Sequence, residues 1–131
     1  IAGTNDLANT LHLPDAGNRD GMSLSLQLIV LAARASAIWA LDGVFNDLAD
    51  PDALAAHCVH GRSLGFDGKT LIHPNQIDIA NRSFSPSASE IEDARALIAA
   101  ASGGAERFRD RMIETMHVEM AERLLVRAGA L

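Results

Sequence analysis

Asp6 is the first side chain in the chain with chemistry in reach. It closes a Gly3-Thr4-Asn5-Asp6 turn behind Ile1-Ala2, which reads as the last residues of a buried strand. Parallel α/β folds place active-site groups at such strand ends. A lone carboxylate there, beside a glycine that allows close backbone approach, suits a hard divalent cation. Mg²⁺ commonly takes one or two protein carboxylates and fills its other positions with water and substrate oxygens. A cap for a helix over Leu7 to Leu11 is the competing reading of Asp6, and the residues alone leave both open.

His73 ends a second short apolar run, and Pro74 biases it towards extended backbone. By itself it reads as a histidine closing a strand through a backbone hydrogen bond. Lys69 lies at the other end of that run and is expected at the opposite mouth, away from any chemistry. Asp42 and Asp47 flank Gly43-Val44-Phe45-Asn46 and read as structural loop carboxylates. His12, His57, His60 and His117 share no metal-ligand spacing and read as solvated helix residues. Cys58, inside a helix, reads as packing. Glu114, ahead of the last helix, is an ordinary N-terminal helix charge. There is no Gly-rich phosphate loop, no Gly-x-Ser-x-Gly elbow and no Cys-x-x-Cys.

Alternating elements must position these groups. After the strand end at Ile1-Ala2 comes a short helical or irregular stretch, Leu7 to Leu13, and then turn-formers over residues 14–21. Met22 to Ser36 has helix spacing at Leu24, Leu28, Leu31 and Ala35. Ala37 to Leu41 fits a buried parallel strand. Asp50-Pro51 opens a helix that runs to about Leu64. Lys69 to His73 is the next strand, and Asn75 to Arg82 a helical turn or two. Ser87 and Glu90 have capping-box spacing for a helix ending at Gly103-Gly104. Glu106 to Met112 is a weak strand or loop, and Ile113 to Ala128 a last amphipathic helix. This order predicts βα units around a parallel sheet, either doubly wound or a (β/α)8 barrel. A barrel needs ~250 residues. The chain would then hold its last three βα units over residues 1–102 and an extension over residues 103–131. Ile1 in place of Met suggests the C-terminal part of something longer.

The 131 residues include 11 basic and 17 acidic side chains, a formal net charge of −6. An acidic surface repels phosphate backbones, which argues against a nucleic-acid partner. The longest apolar run, Leu28 to Ala33, is far too short to span a bilayer of ~30 Å. No signal peptide is visible. The one cysteine excludes an internal disulfide framework and suits a reducing cytoplasm.

The run from Gly61-Arg62-Ser63 through Gly65-Phe66-Asp67-Gly68-Lys69-Thr70-Leu71-Ile72-His73-Pro74-Asn75-Gln76 is long and distinctive. With Gly3-Thr4-Asn5-Asp6-Leu7, Asp42-Gly43-Val44-Phe45-Asn46-Asp47, Phe84-Ser85-Pro86-Ser87 and Met112-Ile113-Glu114, it resembles the citrate lyase β-subunit-like and malyl-CoA lyase proteins of the HpcH/HpaI aldolase superfamily. The resemblance implies the C-terminal portion of a TIM barrel with a helical extension. It also implies acyl-CoA and 2-oxo acid substrates and a homo-oligomer, trimer or hexamer, in which the extension caps a neighbouring subunit.

By the same resemblance Mg²⁺ is held by Asp6 and by a Glu from an earlier strand. Gly3, Thr4 and Asn5 orient the substrate carboxylate, and Ile72 and His73 line the thioester end. Glu114 takes the place of a catalytic Asp. The implied reaction is carbon–carbon cleavage or condensation between acetyl-CoA and a 2-oxo acid. Glu in place of Asp moves the carboxylate by about a bond length, and catalytic geometry is sensitive to ~1 Å. Two alternatives follow: a malyl-CoA-type thioesterase on the same scaffold, or an inactive fragment.

Overall fold

A computed structural model of the chain describes residues 1–15, 17–102 and 106–130. Contacts divide it into two compact units, Ile1–Phe84 and Ser85–Leu131.

In the first unit, Ala2 donates its N–H to the Leu41 carbonyl at 2.8 Å, so the segment before the Gly3 turn lies beside β1 (Leu41–Asp42). β1 pairs in parallel with β2 (Gly68–Lys69), Leu41 opposite Gly68 and Asp42 opposite Lys69. The ladder extends through the Asp67 N–H to the Ala40 carbonyl and the Thr70 N–H to the Asp42 carbonyl. Three consecutive extended segments therefore lie side by side. Helices α1 (Thr4–Thr10), α2 (Ser23–Ala35) and α3 (Pro51–Ser63) connect them, and α4 (Ile77–Phe84) follows. This is the parallel βα order expected from the sequence, although the paired strands are two residues long instead of five.

Local signals account for the helix starts. The Asp50 side chain accepts the Ala53 N–H at 2.8 Å, and Pro51 occupies the first turn of α3. The core is built from Leu26, Val30, Leu54, Cys58 and Phe66, all buried. Cys58 packs, as expected. In α2 the buried stripe is Leu26, Val30 and Ala33, whereas Leu24, Leu28 and Leu31 are exposed. The two stripes lie on roughly opposite sides of the helix. The spacing that identified the helix therefore picked out its outer stripe, because both stripes are apolar at the same period.

In the second unit, α5 (Ala88–Ala100) packs against α6 (Thr115–Arg127) through Ala94, Ala121 and Leu125. The Ser87–Glu90 capping box forms: Ser87 Oγ accepts the Glu90 N–H at 3.2 Å, and Glu90 Oε2 accepts the Ser87 N–H at 2.7 Å. The Gly103-Gly104 stop lies outside the described residues; α5 ends at Ala100 with Ala101 as its cap. The weak strand resolves into a hairpin, β3 (Glu106–Phe108) antiparallel to β4 (Arg111–Ile113). Arg109 and Asp110 make its turn at φ 45° and 62°. Among the described residues no helix is long and apolar enough to cross a membrane.

Candidate functional site

The Gly3 turn opens α1, and Gly3 is its N-cap without a side-chain hydrogen bond. Asp6 therefore lies in the first helical turn and is not the cap. Its side chain is exposed, and among the described residues no protein group hydrogen-bonds its carboxylate. Thr4 is buried, and its Oγ1 has no partner among the described residues. Asn5 exchanges two amide hydrogen bonds with Asn46. Asn46 Nδ2 donates to Asn5 Oδ1 at 2.9 Å, and Asn5 Nδ2 donates to Asn46 Oδ1 at 3.3 Å. The Gly3 turn is thereby clipped to the loop that leaves β1. A cleft of about 210 Å³ lies here, lined by Thr4, Asn5, Phe45, Asn46, Asp47 and His57.

The chain leaving β2 is held to the same loop. Buried Gln76 accepts the Ile72 N–H at 3.1 Å and donates to the Phe45 carbonyl at 2.9 Å. Ile72 and His73 are exposed, and His73 Nδ1 accepts the Asn75 N–H at 3.2 Å, capping the turn that Pro74 begins. The structure thus brings Gly3, Thr4, Asn5 and Asp6 together on one turn and places Ile72 and His73 past the end of β2. In the second unit Glu114 is exposed at the N-terminus of α6, with its N–H donated to His117 Nδ1 at 3.0 Å.

Beneath this surface lies a cluster that the sequence reading placed elsewhere. Asp42 is fully buried. Arg19 grips it with two parallel bonds, Nη1 to Oδ2 at 2.8 Å and Nη2 to Oδ1 at 2.9 Å. Lys69 Nζ stands 3.4 Å from Asp42 Oδ2, and it also donates to the Gly43 carbonyl. His57 Nδ1 lies 2.9 Å from both Lys69 Nζ and Arg19 Nη1. Lys69 is therefore not at a far mouth: it sits in register with Asp42, and its side chain is wholly buried beside it. Nor is His57 solvated, because α3 turns it onto this cluster. Burial and the two adjacent cations hold its pKa at about 3, so the ring stays neutral and accepts hydrogen bonds. Burial alone would raise the Asp42 carboxyl; the Arg19 hydrogen bond and the charges of Lys69 and Arg19 outweigh it and hold the group below its ordinary value. Burial pushes Lys69 down, against the pull of Asp42. One sequence signal could have found the cluster. Gly61 sits inside α3, where glycine is unfavourable, and a Cβ there would collide with the Asp42 carboxylate.

Among the described residues no three His, Cys, Asp or Glu side chains converge on a metal position. A solvated carboxylate at the end of an extended segment does match the sparse protein ligation of Mg²⁺.

Residues 25–131 match the family described as C–C bond lyases of the TIM-barrel fold. The chain belongs to this family. The C–C bond lyase assignment fixes the parallel βα units as part of a TIM barrel, as the motif resemblance implied. A (3S)-malyl-CoA thioesterase of Cereibacter sphaeroides is 44% identical over 138 residues, covering 100% of this chain and 48% of its own length. An L-malyl-CoA/beta-methylmalyl-CoA lyase of Rhodobacter capsulatus is 32% identical, covering 93% of this chain and 40% of the lyase. Among solved structures, CitE of Mycobacterium tuberculosis, in complex with magnesium, acetoacetate and coenzyme A, superposes with a TM-score of 0.83 at 33% identity. It covers 97% of this chain and 50% of CitE. The chain spans about half the length of the curated C–C bond lyase relatives it matches.

Proposed function

We propose that the whole protein carrying this chain is a Mg²⁺-dependent hydrolase of malyl-CoA-type thioesters. One observation carries the choice: 44% identity with a (3S)-malyl-CoA thioesterase along the full chain. In this reading Asp6 holds the cation together with an acidic group from the part of the relatives' length that this chain does not span. Bound Mg²⁺ supplies positive charge and a template for the carboxylate and hydroxyl of the malyl unit. Asn5 and the turn from Gly3 to Thr4 hold that carboxylate in place, and Ile72 and His73 shape the thioester end. Glu114, delivered by a neighbouring copy, takes a proton from water as the water oxygen attacks the thioester carbon. The C–S bond then breaks, the sulfur leaves with the electron pair and receives the proton, and malate and CoA are released.

Carbon–carbon cleavage is the second reading. The family's lyase chemistry and 32% identity with the malyl-CoA lyase of R. capsulatus favour it. There the malyl hydroxyl loses its proton to solvent as its C–O bond becomes the glyoxylate carbonyl, the C–C bonding pair passes to the acetyl-CoA enolate, and Glu114, itself protonated from solvent, gives that carbon its proton. Product analysis of the whole protein with malyl-CoA and Mg²⁺ separates the two: free malate plus CoA for hydrolysis, glyoxylate plus acetyl-CoA for cleavage. Glu114→Gln is expected to abolish either reaction while sparing CoA-ester binding. Turnover unchanged in that variant would remove Glu114 from the chemistry.

A further inference from the structure

We propose that Asp42 is a positioning residue: gripped by Arg19 and Lys69, it seats Gly43 against Thr4 and so fixes the turn that carries Asp6. The proposal rests on the reading of Asp6 as a metal ligand. Gly43 is the link, and it is held on three sides. Its N–H donates to Asp42 Oδ1 at 2.8 Å, and its carbonyl accepts from Lys69. On its open face a Cβ would overlap the Thr4 side chain and come within 2.7 Å of the Ala2 carbonyl. Backbone thus rests directly on the residue two positions before Asp6. Three residues on, Asn46 makes the reciprocal amide pair with Asn5, next to Asp6. Gln76 fixes the Phe45 carbonyl between these two points.

An anchor of this kind needs a single geometry. Two parallel bonds from a planar guanidinium define both the orientation and the distance of the carboxylate. An apolar contact would hold Gly43 at a similar depth but would leave it free to slide. Outer partners of metal ligands typically change metal affinity by about 10- to 100-fold when removed.

The test uses the whole protein and Mn²⁺ as a paramagnetic stand-in for Mg²⁺. It compares metal affinity, the kcat and KM split, and amide hydrogen exchange over residues 3–8 in wild type, Asp6→Ala, Asp42→Asn and Asn46→Ala. Asp6→Ala is expected to lose the metal. Asp42→Asn and Asn46→Ala are expected to weaken it about 10-fold, to lower kcat, and to speed exchange over residues 3–8 while leaving α5 and α6 unchanged. A lower melting temperature with wild-type metal affinity and wild-type exchange in the turn would overturn the proposal, because that is how a merely structural cluster behaves. If Asp42→Asn does not fold, Asn46→Ala and Gly43→Ala decide by the same readouts. If Asp6→Ala keeps the metal, the metal reading of Asp6 falls, and the exchange measurement alone still decides whether Asp42 fixes the turn.

Discussion

Two sets of charges in this chain show opposite uses of the same chemistry. Behind β1 and β2, Arg19 and Asp42 form an ion pair whose side chains are 6% and 0% exposed. In the hairpin of the second unit, Arg107 and Asp110 pair with side chains 80% and 83% exposed, and Arg109 pairs with Asp93 in similar surroundings. The first pair is surrounded by further partners, Lys69 and His57, and its side chains are almost wholly out of solvent. The second is a short-range contact between flexible side chains in a high-dielectric medium. Taking charges out of water costs several kcal/mol per ion, and the attraction returns it only when every lone pair and proton is engaged. The buried cluster meets that demand almost completely, with Arg19 Nε the one buried nitrogen without a partner among the described residues. Such a site locks geometry; the surface pairs decorate it.

The largest expected effect comes from breaking the buried pair on one side. Asp42→Ala leaves Arg19 and Lys69 facing each other in the interior and should cost about 3–5 kcal/mol, read as a fall in the urea midpoint of the whole protein. A midpoint within error of wild type would mean that water enters the cluster freely.

Acid should act in the same direction by smaller steps. The folded pKa of His57 is about 3, below its unfolded value of 6.5. Between those values the unfolded chain binds a proton that the folded chain excludes, so stability is full above 6.5 and falls as pH drops towards 3. The slope from this group reaches at most about 1.4 kcal/mol per pH unit. Asp42, held low, adds a further loss below about pH 4. His57→Gln should flatten the upper part of that profile, and an unchanged profile would assign the acid sensitivity to other groups.

The smallest effect is expected at the hairpin. Arg107→Ala should leave the denaturation midpoint where it was, in low salt and in 0.5 M salt alike. A clear salt-dependent shift there would erase the contrast between the two regions.

What the sequence could reveal divides along the same line. Asp50-Pro51 and Ser87–Glu90 act within one turn of chain, and both starts are where the residue types put them. The break at Gly3 was legible as well, since a glycine at a strand end needs no distant partner to be noticed, but the helix behind it starts at Thr4, three residues before the Leu7 expected. Lys69 and His57 were misplaced because their surroundings depend on register and on which side of α3 meets the strands. Neither is written locally: Asp42 and Lys69 are opposite one another only after two segments 27 residues apart have paired. The strands that pair are too short for alternation to show which residues face the helices. The amide exchange between Asn5 and Asn46 was hidden for the same reason.

The outer stripe of α2 has its own consequence. A surface helix ordinarily turns one greasy side inward and a wet side outward, but Leu24, Leu28 and Leu31 make this one oily on both. Apolar rows on both sides let the helix pack from both, which a helix that faces water on one side does not need.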